Sequence, residues 1–134
     1  MEKQTVALFG EAEKGDFQTI YHCKNLQQLS DNLGHPPPYS RGIFMAIQAL
    51  LFDRELVFIR VRDEGYSFQD YYKGLRLLTN YGVVRQLAAL GMPGVGDSSL
   101  VEATTAICAI YASVLITTED DLYDYLTTGN QRAA

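Results

Sequence analysis

Short apolar segments alternate with helical patterns along the chain, and this alternation constrains the fold more than any other feature. The apolar segments lie at residues 5–9, 55–61, 87–90 and 113–117, with a weaker one at 17–23. Residues 55–61 are rich in β-branched and aromatic side chains, which predicts a central strand. Strands separated by helices pair in parallel through right-handed crossovers. The sequence therefore predicts an α/β, Rossmann-like fold, a single three-layer domain with a mostly parallel central sheet of four to five strands and helices on both faces.

The length of the chain indicates one domain. Its 134 residues lie near the commonest domain size, and no internal repeat or linker divides them. The last helical pattern contains Leu122, Tyr125 and Leu126. We therefore expect a single α/β domain over residues 1–126 and a frayed C-terminal tail over residues 127–134.

Charge and cysteine content narrow the classes of partner and the compartment. Eleven Lys and Arg against sixteen Asp and Glu give a net charge of −5, which disfavours phosphate backbones and anionic lipids. We therefore expect no nucleic acid and no membrane partner, and no stretch reaches the ~18 apolar residues of a membrane span. The first ten residues lack the pattern of a signal peptide. Cys23 and Cys108 are typical of free thiols, so we expect a cytoplasmic protein.

Residues 41–52 form a helical pattern with almost no polar stripe, preceded by Ser40 as the predicted N-cap. A helix that covers one face of a sheet needs apolar side chains on only part of its circumference. This helix must therefore be covered on more than one side, and monomers seldom expose large apolar patches. We predict a homo-oligomer, or a complex with another protein, whose interface residues are Ile43, Phe44, Ile47 and Leu51.

Polar loops follow the predicted strands. In a parallel sheet these loops leave at one edge, which is where open α/β sheets bind their ligands. Each loop carries a carboxylate, and most carry glycine. A small-molecule ligand is therefore expected at this edge if the protein has one. The candidate ligand-binding residues are Gly10, Glu11, Glu13, Asp63, Gly94, Gly96, Asp97, Ser98, Ser99, Thr118 and Glu119.

Two interpretations account for the acids at this edge. In the first interpretation, carboxylates gathered without matching cations bind Mg²⁺. The metal ligands are then Glu11, Asp97 and Glu119. The backbone amides of Ser98 or Ser99 hold a phosphate group of the ligand. However, Asp, Glu, Ser and Thr also cap helices, and every helix of a parallel α/β fold begins near this edge. The glycine-containing loop at residues 91–99 lacks the Walker A lysine and the dinucleotide spacing, so a tight turn before a capped helix also explains it.

Two functions of different class remain open from the sequence. The first is a non-catalytic interaction or assembly domain that acts as a homo-oligomer and requires no cofactor. The alternative is a Mg²⁺-dependent phosphoryl-transfer or nucleotide-binding enzyme that uses the acidic edge, although no motif identifies its catalytic residues. A domain that senses a small molecule without chemistry lies between the two. The apolar helix favours the first hypothesis, because capping already explains the acidic edge.

Overall fold

The computed structural model describes residues 3–79 and 84–132, with side chains described as far as residue 128. Within these ranges the chain forms a sheet and a set of helices that alternate along the sequence. The strands are β1 (Thr5–Gly10), β2 (Ile20–Cys23), β3 (Glu55–Arg60), β4 (Ala89–Gly91) and β5 (Val114–Ile116). The helices are α1 (Leu26–Leu33), α2 (Gly42–Leu51), α3 (Phe68–Leu78), α4 (Ser98–Tyr111) and α5 (Glu119–Arg132).

The sheet has the strand order β2-β3-β1-β4-β5. β1 pairs in parallel with β3 and with β4, and β4 pairs in parallel with β5. Among the described strands, only β2 runs antiparallel, against β3 at one edge. Every residue of β1 is buried, as expected for a strand covered on both faces. The α/β fold with a mostly parallel sheet, predicted from the sequence, is confirmed.

Helices cover both faces of the sheet and produce two apolar layers. On one face, α1, α2 and α5 pack against the sheet through side chains such as Leu33, Met45 and Leu122. On the other face, α3 and α4 pack through Tyr71 and Leu100. The layers form because successive side chains of a strand point to opposite faces of the sheet. The result is the predicted three-layer architecture.

α2 is covered on more than one side, as its apolar pattern predicts. It contacts β1 and β3 on one side and α5 on another. Met45, Ala46 and Ala49 are fully buried among these elements. Since α5 supplies the second cover, much of the apolar circumference of α2 is satisfied within one chain.

The N-terminus of α2 differs from its prediction. The N-cap is Arg41 rather than Ser40, and the side chain of Arg41 makes no capping hydrogen bond. The hydroxyl of Ser40 instead donates to the carbonyl oxygen of Pro37 at 2.6 Å, within a turn in which Tyr39 has a φ of 65°. This turn satisfies the Ser40 hydroxyl locally and leaves the first amides of α2 to another partner.

The last helix is longer than the sequence predicts. The backbone of α5 is helical to Arg132, beyond residue 126, where the predicted domain ends. Residues 133–134 of the predicted tail lie outside the described part of the chain. Neither α5 nor any other described helix is long and apolar enough to cross a membrane.

Candidate functional site

The parallel strands place the connections that follow β1, β3, β4 and β5 at one edge of the sheet. β1 and β4 are neighbours, but the chain leaves β1 toward the face that carries α2 and leaves β4 toward the face that carries α4. Such a reversal between adjacent strands is a topological switch point, where open α/β sheets hold their ligands. The predicted site residues that lie beside this switch point are Gly10, Glu11, Gly94, Gly96 and Asp97.

Glu64, in the connection between β3 and α3, holds this edge together. Its Oε2 accepts hydrogen bonds from the amides of Glu11 (2.8 Å) and Gly42 (3.0 Å), and its Oε1 accepts one from the amide of Arg41 (2.8 Å). Arg41 and Gly42 begin α2, so a carboxylate from another element caps this helix and complements its dipole. Glu64 therefore fills the position that an external anion takes at an open helix N-terminus.

Glu11 and Glu64 bind each other's backbone. The amide of Glu64 donates to Oε2 of Glu11 at 3.0 Å, while the amide of Glu11 donates to the carboxylate of Glu64. Burial raises the pKa of the Glu64 carboxyl above its ordinary value, although the three amide hydrogen bonds favour its charged form. The crossed pair thus joins the connections after β1 and β3 through amide donors.

Glycine is required where the backbones at this edge approach most closely. A Cβ at Gly42 would lie 2.6 Å from the Cα of Gly10, and a Cβ at Gly65 would lie 2.6 Å from the carbonyl oxygen of Gly94. Gly65 and Gly94 also have positive φ angles of 89° and 81°, which glycine adopts without strain. The connection after β3 can therefore lie against the connection after β4, while the end of β1 touches the start of α2.

The N-terminus of α4 has a cap of its own. Asp97 is the N-cap, and its Oδ2 accepts a hydrogen bond from the amide of Leu100 at 3.0 Å, whereas the sequence offers Asp97, Ser98 and Ser99 alike as caps. Ser98 and Ser99 follow in the first turn and are exposed. A Cβ at Gly96 would meet nothing within 4 Å. The start of α4 is therefore open to solvent, whereas Glu64 closes the start of α2.

The connection after β5 contributes two predicted site residues. The hydroxyl of Thr118 accepts a hydrogen bond from the amide of Asp121 at 3.1 Å and so caps α5. Oε1 of Glu119 forms an ion pair with Nε of Arg41 at 3.2 Å. Because the amide of Arg41 binds Glu64, this ion pair brings Glu119 to the same part of the edge as Glu64.

Glu13 and Asp63 are not part of the Glu64 contacts. Oε1 of Glu13 accepts a hydrogen bond from the amide of His35 at 3.0 Å, directly after the end of α1. Asp63 is exposed. Its amide donates a hydrogen bond to the hydroxyl of Ser67, which precedes α3, and its carbonyl oxygen accepts one from the same hydroxyl. Both residues therefore stabilise local chain turns.

The three predicted metal ligands are engaged in different contacts. Glu11 accepts a hydrogen bond from the amide of Glu64, Asp97 caps α4, and Glu119 pairs with Arg41. Within residues 3–79 and 84–132, no group of three or more His, Cys, Asp or Glu side chains is placed to hold a metal ion. Magnesium binding therefore stays a prediction from the sequence.

α2 presents a surface stripe of three apolar side chains at helical spacing, Phe44, Ile47 and Leu51, which we term the α2 stripe. Phe44 is 45% exposed and Leu51 is 68% exposed, while Ile47 is half-buried. Ile43, the fourth predicted interface residue, is instead buried in the core layer between the sheet and α5. The surface part of the predicted interface thus consists of the stripe alone.

A cavity of about 210 Å³ lies at the opposite edge of the sheet, where β1 and β3 begin and β2 ends. Its lining includes Thr5, His22, Cys23, Lys24, Glu55 and Arg85. Burial raises the pKa of the Cys23 thiol, and also that of the Cys108 thiol in α4. Both cysteines are free, as predicted, and burial keeps them neutral.

The sequence places Glu64 among the acids of this edge but assigns it no role, and it does not assign Arg41 or Gly42 to the site. The hydrogen bonds of Glu64 reach 22 to 53 residues along the sequence, and no local pattern reports contacts of that range. The sequence does contain one hint of this contact. Gly42 stands at the start of an otherwise apolar helix, although glycine disfavours helices. The close approach of the Gly10 backbone explains why glycine occupies this position.

Comparison with known proteins finds no relative. No family model, no curated protein and no solved structure matches the chain. The structure itself defines the class, which is a single α/β domain whose described residues form a mixed, mostly parallel sheet of five strands. A function is therefore inferred from the surfaces and contacts of the chain itself.

Proposed function

We propose that this chain is an interaction domain that self-associates, with the α2 stripe as a contact surface. The observation that carries the proposal is that Phe44, Ile47 and Leu51 reach the surface although the sheet and α5 already cover α2. Burying apolar surface stabilises an association by roughly 25 cal/mol per Å². Covering the α2 stripe with a second surface therefore lowers the free energy of the complex.

The occupant that we propose for the α2 stripe is a second copy of the chain. Residues 42–52 carry no charged side chain, so two copies of α2 can meet around a two-fold axis without like-charge repulsion. Each chain carries a net charge of −5, and repulsion between copies is smallest where charge is absent. Tyr123 of α5, which is 54% exposed, extends the apolar surface, since its ring packs edge-on against Phe52.

Light scattering during size exclusion tests this proposal. Leu51→Lys places a charge in the proposed contact, so its mass is expected to fall below that of the unmodified protein, whose oligomer contains at least two chains of 15.0 kDa. Tyr66→Lys is the matched control, because Tyr66 is 72% exposed and lies outside α2. The control should keep the mass of the unmodified protein. An unmodified protein that is already monomeric would contradict the proposal.

We propose as a second candidate that the switch point binds a phosphate-bearing small molecule such as a nucleotide. The exposed Ser98 and Ser99 begin α4 at this edge, which favours the proposal at α4, whereas Glu64 already fills the anion position at the start of α2. Mg²⁺-dependent phosphoryl transfer is the enzymatic form of this candidate. Its metal ligands, as predicted from the sequence, are Glu11, Asp97 and Glu119, each of which must leave the contact it makes in the structure to bind the ion.

Thermal unfolding with added ligands separates this candidate from the first. A ligand that binds only the folded chain raises its stability by about 2.7 kcal/mol at a concentration one hundred times its Kd. We expect adenine or guanine nucleotides to raise the unfolding temperature, and the corresponding nucleosides, which lack phosphate, to leave it unchanged. Failure of nucleotides, inorganic phosphate and Mg²⁺, alone or together, to shift the transition would count against this candidate.

We also propose a cytoplasmic location for the protein. Cys23 and Cys108 are both free, and free thiols are typical of reducing compartments. Fractionation of the cells that produce the protein tests this directly. Recovery from a secreted fraction would contradict it.

A further inference from the structure

We infer that the outer edge of β5 is a second self-contact surface, at which two copies of the chain join their sheets. The inference rests on the proposed self-association and assigns it a further surface. Among the strands of the described residues, β5 is the last in the sheet, and it pairs with β4 on its inner side. The amide of Val114 donates to the carbonyl of Ala88 (3.2 Å), and the carbonyl of Ile116 accepts from the amide of Met92 (2.8 Å). Because these groups alternate in direction along a strand, the amide and carbonyl of Leu115 point away from the sheet.

Exposed apolar side chains occur on β5 and near the end of α4, the helix that precedes it. Ile110, near the end of α4, is 53% exposed, and Val114 is 50% exposed. Val114 and Leu115 point to opposite faces, and Leu115 packs against the layer that contains α4. We term Ile110, Val114 and Leu115 the β5 edge. A strand added here would find apolar contacts above and below its backbone.

The β5 edge lies in a part of the chain without charge. Residues 103–118 contain no Asp, Glu, Lys, Arg or His. Natural proteins usually protect edge strands with charged side chains, since an unprotected edge pairs with other chains. The opposite edge of this sheet is closer to that rule, because the exposed Lys24 directly follows β2. The contrast between the two edges indicates that β5 is left open to pairing.

The geometry points to a second copy of the chain as the occupant of the β5 edge. Antiparallel pairing around a two-fold axis at Leu115 lets the Leu115 amide of each copy donate to the Leu115 carbonyl of the other. In this pairing Val114 of one copy lies opposite Ile116 of the other, and β5 itself brings no charged side chain to the contact. Since β5 has three residues, these apolar contacts supplement a short ladder of hydrogen bonds.

Two separate self-contact surfaces allow the assembly to grow beyond a pair. The α2 stripe lies on one face of the sheet, whereas the β5 edge lies at the end of the strand order. One chain can therefore bind one copy through α2 and another through β5. Two different two-fold contacts on one chain give chains or closed rings of copies rather than isolated dimers.

Light scattering on four proteins tests the β5 edge. The proteins are the unmodified chain, Leu51→Lys, Val114→Lys and the variant with both substitutions. We expect a mass above that of a dimer for the first, a dimer for each single variant, and 15.0 kDa for the double variant. Val114→Thr keeps a β-branched side chain of similar size and replaces a methyl group with a hydroxyl, so it weakens the apolar contact. This variant replaces Val114→Lys in the experiment if the lysine variant does not fold.

Amide hydrogen exchange at Leu115 gives a second readout. The amide of Leu115 should exchange slowly in Leu51→Lys, where the β5 contact persists, and quickly in the double variant. If substitutions at Val114 leave the mass unchanged and Leu115 exchanges quickly in Leu51→Lys, the inference is wrong, although self-association through α2 stands. A monomeric unmodified chain would overturn the inference together with the proposed function.

Discussion

A single carboxylate, that of Glu64, satisfies amides that the sequence leaves without a local cap. It accepts hydrogen bonds from Glu11, Arg41 and Gly42. A buried donor left without an acceptor costs about 1–3 kcal/mol. Glu64 thus links three segments of the chain at the edge where a ligand is expected, and its removal affects all three.

Substitution of Glu64 by glutamine is expected to destabilise the fold. Glu64→Gln retains one acceptor oxygen but turns an NH₂ group toward an amide donor, so we expect a loss of about 1–3 kcal/mol in the free energy of unfolding. Urea unfolding measures this loss. Glu119→Gln is the control, because the ion pair of Glu119 with Arg41 is largely exposed and exposed pairs contribute at most ~1 kcal/mol. Equal losses in the two variants would show that Glu64 has no special role.

The stability that Glu64 contributes is expected to depend on pH. Burial raises the pKa of its carboxyl in the folded state, so between the unfolded and folded pKa values the folded chain binds more protons. The proton-linked part of this contribution is therefore fully present below the ordinary pKa and is lost as pH rises through the raised pKa, whereas the amide hydrogen bonds remain. Urea unfolding from about pH 4 to about pH 7 should show the advantage of the unmodified chain over Glu64→Gln shrinking. An advantage that grows with pH would contradict the raised pKa.

At the scale of elements, the approach of α2 to the end of β1 depends on Gly42. Gly42→Ala would place its Cβ 2.6 Å from the Cα of Gly10, so α2 must shift, at a cost of about 1–3 kcal/mol. Gly96→Ala is the matched control, since its Cβ would meet nothing within 4 Å, and we expect a change within about 0.5 kcal/mol. Thermal unfolding of both variants measures the difference. A Gly42→Ala variant as stable as Gly96→Ala would contradict this packing.

The sequence predicted elements where their signal is local. β3 follows from neighbouring residues, as does a cap for α4 among Asp97, Ser98 and Ser99, and the structure contains β3 and the Asp97 cap. Ser40 was assigned the wrong role because the acceptor that its hydroxyl finds lies in the preceding proline turn. The capping of α2 by Glu64 depends on two connections that meet only after the sheet has formed, so no nearby residue indicates it.

At the scale of the whole molecule, the direction of the strands places the switch point, and their order places the β5 edge. Parallel β1, β3, β4 and β5 collect their connections at one edge, which was predicted from the alternation of strands and helices. The strand order places β5 at the outside of the sheet, which the sequence does not give, because order depends on long-range pairing. The sequence shows that α2 has apolar side chains around most of its circumference. It does not show that α5 packs against α2.

Sedimentation equilibrium of the unmodified chain over a wide range of protein concentration tests the proposed self-association most directly. We predict a mass of at least twice 15.0 kDa at high concentration, falling toward 15.0 kDa on dilution. Reversible behaviour of this kind would distinguish specific association from aggregation. A mass of 15.0 kDa at every concentration would contradict the account.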